Sequence, residues 1–287
     1  MPLSAELVGL SGEPIESTVD ARWTMAYSAG LGEASPESFD TSARPDVLAH
    51  PLFPVCFEWP VFLSERHLPT QGVLSAAERV RGVHATHDLH LHRPLRAGTR
   101  IETRATIVRV EARRPGAYQV IRLDSADGDG RPVCTTWYGT LYRGVEVEGG
   151  DRVLEEAEPE LSRAVLSEPS AEWSFPVAAN AAHVYTECAR IWNPIHTDAA
   201  VAAAAGLPAI ILHGTATLAL GVSRVVDGAL GGASAEVARV AGRFAAMVQV
   251  PSSLTVRVGE PAAGEVRFEV LNESGEPAVR DGLVALR

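Results

Sequence analysis

Apolar and polar residues alternate along several short stretches of this chain. In residues 101–108, Ile101, Thr103, Ala105 and Ile107 fall on one face and Glu102, Arg104 and Thr106 on the other. That is the period of a half-buried strand. Residues 254–258, Leu-Thr-Val-Arg-Val, repeat the pattern. Residues 199–223 behave differently, with no formal charge at all. Length alone invites a membrane-spanning reading, but Gly206, Pro208 and Gly214 interrupt the run, and Pro208 would break a spanning helix. The pattern predicts a loop followed by one buried helix from about Gly214. The glycines of residues 228–232 predict a turn after it.

A composition shift divides the chain. Residues 146–170 hold Glu146, Glu148, Asp151, Glu155, Glu156, Glu158 and Glu160, with Gly149-Gly150 and Pro159 among them. Acid, glycine and proline together predict a linker. It separates an N-terminal half, residues 1–145, from a C-terminal half, residues 171–287. The halves repeat each other. A shift of 158 places Tyr27 on Tyr185, Glu33 on Ile191, Ala34 on Trp192, Ser35 on Asn193, Pro36 on Pro194, Ser38 on His196 and Asp40 on Asp198. A second register sets residues 95–101 against 248–254, each leading into an alternating strand. Each half therefore reads as helical segment, loop, buried helix and several strands.

The densest chemistry lies in Trp192-Asn193-Pro194-Ile195-His196-Thr197-Asp198, with His213-Gly214 downstream. This resembles the active-site signature of the MaoC-like hydratases and dehydratases, Asp-x-Asn-Pro-x-His followed by His-Gly. Those enzymes add water to acyl thioesters or remove it. The resemblance implies an α+β fold: a tandem, or double, hot-dog, each half an antiparallel sheet wrapped around a central helix. It covers nearly the whole chain, but its specific motif lies in the C-terminal half. The N-terminal half, with its loop over residues 46–54 and its turn over residues 92–98, is like the degenerate halves of such proteins.

Hydration of an enoyl thioester needs a base for water, an acid for the carbon beside the carbonyl, and a partner for the developing enolate oxygen. Carried over by resemblance, His196 is the acid/base group and Asn193 and Pro194 form the turn that orients it. Gly214 offers the oxyanion amide, at a helix N-terminus whose amides are unpaired. Trp192, an amphipathic ring, is expected to line the substrate cleft or to pack beneath the loop, and His213 to brace the loop at the substrate site; Asp198 is assigned no chemistry. The departure is Ile191, which stands where the family has its aspartate and can neither hold a proton nor accept a hydrogen bond. The absent group is worth about 10²–10⁴ in rate.

Glu187, one turn before Ile191 if residues 180–191 are helical, is either a substitute acid or a solvated helix carboxylate. Glu33 occupies the matching position of the N-terminal half, where Ser38 replaces the histidine. Each half thus keeps one member of the pair, and in a double hot-dog the two half-sites should lie well apart. The resemblance implies a hydro-lyase acting on an acyl-CoA or acyl-carrier-protein thioester without a cofactor, in a homodimer. The alternatives are a non-catalytic acyl-thioester-binding or scaffold protein, or an isomerase or cyclase on an unsaturated acyl chain.

Charge and composition narrow the setting. A hydrophobic fraction of 46% with 21% charged residues fits a soluble globular chain. The net charge of −11 argues against nucleic acid or an anionic membrane as partner, and it leaves CoA phosphates to be met by a local basic patch. Cys56, Cys134 and Cys188 make no even disulfide framework, which fits a reducing cytoplasm. The histidines at 84, 87, 90 and 92 read as one polar strand face, with His87 opposite, rather than a metal site. Cys188 reads as a small buried hydrophobe rather than a nucleophile. No glycine-rich phosphate loop is present, so no nucleotide cofactor is implied.

Overall fold

A computed structural model describes residues 2–42, 46–155, 157–163, 166 and 168–287. The acidic segment 146–170 lies partly outside these, at Glu156, Ala164, Val165 and Ser167. The helices are α1 (Ala21–Gly30), α2 (Pro36–Phe39), α3 (Pro54–Glu58), α4 (Thr70–Val73), α5 (Ala76–Arg79), α6 (Ala181–Ala189), α7 (Ala199–Ala204) and α8 (Gly214–Ala229). The chain packs as two compact units that interleave along the sequence. The first holds residues 1–18, 57–92 and 100–160, and the second residues 19–56, 93–99 and 161–287.

In the first unit, β1 (Leu3–Ser4), β2 (Ile15–Val19), β3 (Gly82–Leu91), β4 (Thr99–Arg113), β5 (Gly116–Asp127) and β6 (Pro132–Arg143) precede two short strands, β7 (Val147–Glu148) and β8 (Arg152–Val153). The main sheet runs β2-β4-β5-β6-β3, β8 adds to β4, and β1 pairs with β7. The acidic segment is therefore partly drawn into strands. In β4 the predicted alternation holds from Ile101 to Ile107. Val108 is then buried as well, where the register against β5 shifts by one residue, as a bulge does. A helical turn over residues Trp59–Leu63 lays Val61 and Phe62 against Ile107, Val110, Ile121 and Leu123.

A second irregularity falls in β3, between His84 and Thr86. It returns His84 to the face of His87, and the two rings lie 5.4 Å apart. This corrects the expectation that His84 shares a face with His90. His84 stacks on Tyr138 at 3.6 Å, while His90 meets Asp88 at 3.2 Å. No group of three or more His, Cys, Asp or Glu able to hold a metal ion exists among the described residues.

In the second unit, β9 (Ala171–Val177), β10 (Val237–Phe244), β11 (Ser252–Val258), β12 (Glu265–Leu271) and β13 (Pro277–Leu286) form an antiparallel run in the order β10-β13-β12-β11-β9. Their inner faces are Leu254, Val256 and Val258 of β11 and Val266, Phe268 and Val270 of β12, all buried. The outer face carries Arg257, which bridges Glu172 at 3.1 Å and Glu269 at 2.8 Å. Helix α8 lies on the inner face and makes contact with β10, β11, β12 and β13.

Leu218, Val222 and Val225 recur at helical spacing on α8 and are fully buried. Each contributes roughly 1.5–3 kcal/mol of apolar burial. Gly221 lets the helix approach the sheet: a Cβ there would sit 2.8 Å from both Phe268 and Val270. The uncharged run thus yields the predicted buried helix beginning at Gly214, but the segment before it, expected to be all loop, opens with the short helix α7, which Asp198 caps. No helix is long and apolar enough to cross a membrane among the described residues.

The same unit brings together two segments that the offset of 158 aligns. Helix α1 packs on α6, and Gly30 faces Cys188 so closely that a Cβ would lie 3.0 Å from the cysteine's. Tyr27 and Tyr185, 158 residues apart, bring their hydroxyls to 3.4 Å.

Candidate active site

The motif loop forms as a tight turn at the end of α6. Arg190 closes that helix in a left-handed conformation, φ 58°, and turns Ile191 out of the helical path. The Ile191 N–H donates to the Thr186 carbonyl at 3.1 Å, and its side chain is 5% exposed. Glu187 and Ile191 therefore do not share a helix face, as an unbroken helix would have required. Glu187 is exposed and Ile191 is buried.

Asn193 caps the next turn, Pro194–His196, which the His196 N–H closes on the Asn193 carbonyl at 3.1 Å. The turn holds His196 in one tautomer. Its Nδ1–H donates to the Ile211 carbonyl at 2.8 Å, so the lone pair of the neutral ring is on Nε2. That nitrogen takes no protein partner among the described residues. Burial lowers the His196 pKa to about 4, with the Ile211 bond opposing the shift. At neutral pH the ring is an uncharged acceptor.

His213 stacks on His196 with centroids 3.7 Å apart. It is 2% exposed, shares a hydrogen bond with Thr186 Oγ1 at 3.2 Å, and lies against the Ile191 backbone. Burial, then the adjoining His196, hold it well below the ordinary histidine range. His213 is thus a neutral slab beneath His196.

His213 is also the N-terminal flank of α8, where its carbonyl takes the Thr217 N–H at 3.0 Å. The Gly214 N–H has no acceptor within the fold among the described residues, as expected at the first turn of a 16-residue helix. Gly214 also makes room: a Cβ there would lie 3.1 Å from the Phe244 ring.

Beside this turn opens a cleft of about 300 Å³, lined by His183, Thr186 and Glu187 from α6 and by Trp192, Asn193, Pro194 and Thr197 from the loop. Trp192 is 57% exposed, so it forms a wall of the cleft rather than a packing residue beneath the loop. Asp198 caps α7, accepting the Ala200 N–H at 2.8 Å, which gives it a structural task. Cys188 is held protonated by burial and by Glu187. Sequence reasoning did not pick out His183 and Thr186. Their signal was the helical spacing with Glu187, which places 183, 186 and 187 along one side of α6.

The geometry leaves a neutral imidazole with its Nε2 lone pair unused, an amide at a helix N-terminus, and a buried isoleucine at position 191. Comparison with known proteins supplies the lineage of this arrangement. Residues 162–276 match a model described as a MaoC-like domain, and residues 6–136 one described as a FAS1-like dehydratase domain region. A 3-hydroxyacyl-thioester dehydratase Y of Mycobacterium tuberculosis is 24% identical over 97% of this chain and 95% of its own. The crystal structure of a MaoC-like dehydratase from Phytophthora capsici superposes with a TM-score of 0.82 at 20% identity, over 96% of this chain and 95% of that one. A Mycobacterium tuberculosis protein described as having a double hot-dog fold covers 97% of this chain and 96% of its own, with a TM-score of 0.61 at 15% identity.

Proposed function

Since the chain belongs to the MaoC-like double hot-dog family, we propose that it is an enoyl-thioester hydratase, or in the reverse direction a 3-hydroxyacyl-thioester dehydratase, that works without the family's aspartate. The observation that carries this is His196, whose Nδ1–H is spent on Ile211 while Nε2 stays free. Nε2 takes the proton of the attacking water as the water oxygen bonds to C3. The C2–C3 electron pair moves toward the thioester, whose oxygen is met by the Gly214 N–H. Preorganised amides of this kind are worth about 10²–10³ in rate. Asn193 holds the turn, His213 fixes the plane of the His196 ring, and Trp192 offers an apolar wall to the thioester. Glu187 lines this cleft and is the substitute proton group: its carboxylate accepts from the His196 imidazolium the proton taken from water and passes it to C2, so the sum is addition of one water.

The substrate is a CoA or carrier-protein thioester, and neither a metal nor an organic cofactor enters the scheme. A homodimer in the cytoplasm is the assembly and setting this reading carries with it. Ile191 favours a second reading, in which the cleft binds an acyl thioester without turning it over, or isomerises or cyclises an unsaturated chain with fewer proton transfers. The test is to supply a short enoyl-CoA and, separately, its 3-hydroxyacyl-CoA, and to follow their interconversion. Turnover in both directions supports the hydratase. Binding without turnover transfers the site to the second reading.

A further inference from the structure

The walls of the cleft are the residues that hold the imidazole pair in place. Thr186 lines it and shares its hydroxyl with Nε2 of His213, the ring stacked on His196. Asn193 opens the turn that carries His196, and Thr197 closes it, donating its N–H to the Pro194 carbonyl at 3.1 Å. His183, in the first turn of α6, lines the same cleft and is exposed. Its Nε2 lies 3.0 Å from the Thr197 carbonyl. A carbonyl only accepts, so Nε2 carries the ring proton and donates it to that bond.

Among the described residues this is the only side-chain hydrogen bond from α6 to residues 193–198. It fastens the far end of the turn, one residue after His196. The near end leaves α6 through Ile191, and between the two the His196 ring is held by the Ile211 carbonyl at 2.8 Å. Beyond Thr197 the chain passes into the cap of α7, a helix of six residues. The titratable groups around His196 are His213 against its ring, His183 and Glu187 on α6, and Asp198, whose carboxylate is spent on the α7 cap. Burial is what lowers the His196 pKa to about 4. A looser turn admits water to the ring, and that value then climbs toward the ordinary histidine range.

We propose that His183 is the positioning residue of this turn: by holding the Thr197 carbonyl, its Nε2–H keeps the His196 ring in place and shielded from bulk water. The reaction that reads this out rests on the function proposed above; the fastening itself does not. His183 takes no part in proton transfer and acts only through His196. The bond is exposed, so water competes for both partners and stability depends on it little. Its effect is on geometry, where a slight misplacement of a base is costly in rate. The role also has a side-chain signature. Glutamine places an N–H where the imidazole has Nε2, whereas asparagine places one where it has Nδ1.

The test uses the full chain and compares wild type, His183→Ala, His183→Gln, His183→Asn, His196→Ala and the double alanine variant. Hydration of a short enoyl-CoA is measured for each, and the His196 ring is titrated by NMR, which needs no turnover. The proposal expects His183→Ala to lose about tenfold in kcat with KM within about twofold. The His196 midpoint should rise from about 4, and glutamine but not asparagine should restore both quantities. A base with a raised midpoint is protonated sooner, so the loss in kcat/KM should be larger at about pH 5 than at about pH 8. The double variant should match His196→Ala. A folded His183→Ala with the kcat and midpoint of wild type overturns the proposal. So does a loss that recurs in full on the His196→Ala background, or an asparagine that restores as well as glutamine. If His183→Ala unfolds, equal kcat and midpoint in the glutamine and asparagine variants overturn it instead. A wild type without turnover overturns the hydratase reading alone. The midpoint then decides: a rise in His183→Ala that glutamine reverses supports the positioning role, and an unmoved midpoint overturns it.

Discussion

Replacing Ile191 by aspartate restores the residue whose absence defines this site. Ile191 is 5% exposed, and its backbone lies against His213, which stacks on His196. Removing the isoleucine side chain forfeits about 2–3 kcal/mol of apolar burial. A carboxylate in the same place adds a desolvation cost, repaid in part when a neighbouring imidazole takes a proton. The expected net loss is about 2–4 kcal/mol, read as a lower urea midpoint with an unchanged slope. Against that stands the rate. A general acid/base group is worth about 10²–10⁴, so Ile191→Asp should raise hydratase kcat by at least about tenfold even in imperfect register. The nearby negative charge should also favour imidazolium, and so move the acid limb of the pH–rate profile upward from about 4. The assay is loss of enoyl absorbance across pH, beside denaturation of both proteins. A folded variant with unchanged kcat and an unchanged acid limb refutes the reasoning.

Other outcomes follow from the buried ionisable groups. Glu58 is 2% exposed, takes the Thr136 hydroxyl at 2.6 Å, and is pushed by burial up to about 8. A carboxyl raised in the fold stabilises below its unfolded pKa, and that stability is lost as pH rises through about 8. The loss approaches about 5 kcal/mol between pH 4.5 and 9, and Glu58→Gln should abolish this dependence in urea titrations. His87 is 1% exposed and lowered by burial to about 4. The unfolded chain takes that proton first, so stability should fall by about 3 kcal/mol as pH drops from 6.5 to 4; His87→Leu should flatten that slope. Gly214→Ala should press on Phe244 and displace the amide, lowering kcat about tenfold or more with little change in KM.

Much of the second unit was legible in the sequence because its signals are local. The uncharged run with its proline and glycines marked where α8 begins, and Asn193-Pro194 marked the turn that carries His196. The two tyrosines that the offset of 158 aligns, Tyr27 and Tyr185, meet in the fold. What could not be read depended on backbone conformation or distant contacts. The left-handed Arg190 ended α6 one residue before Ile191, separating it from Glu187. A one-residue shift in β3 moved His84 across the sheet. His50 and Ser223 meet across 173 residues with no shared motif, and Ser223 also donates to Glu33, which looked in the sequence like any solvated acid. The interleaving of the packing units likewise has no compositional marker.

The most direct measurement is the ratio of kcat for enoyl-CoA hydration between wild type and His196→Ala, with binding of a non-reactive thioether analogue of the substrate measured alongside. The account predicts a loss of about a hundredfold or more in kcat with analogue affinity nearly unchanged. Equal turnover by the two proteins would contradict it.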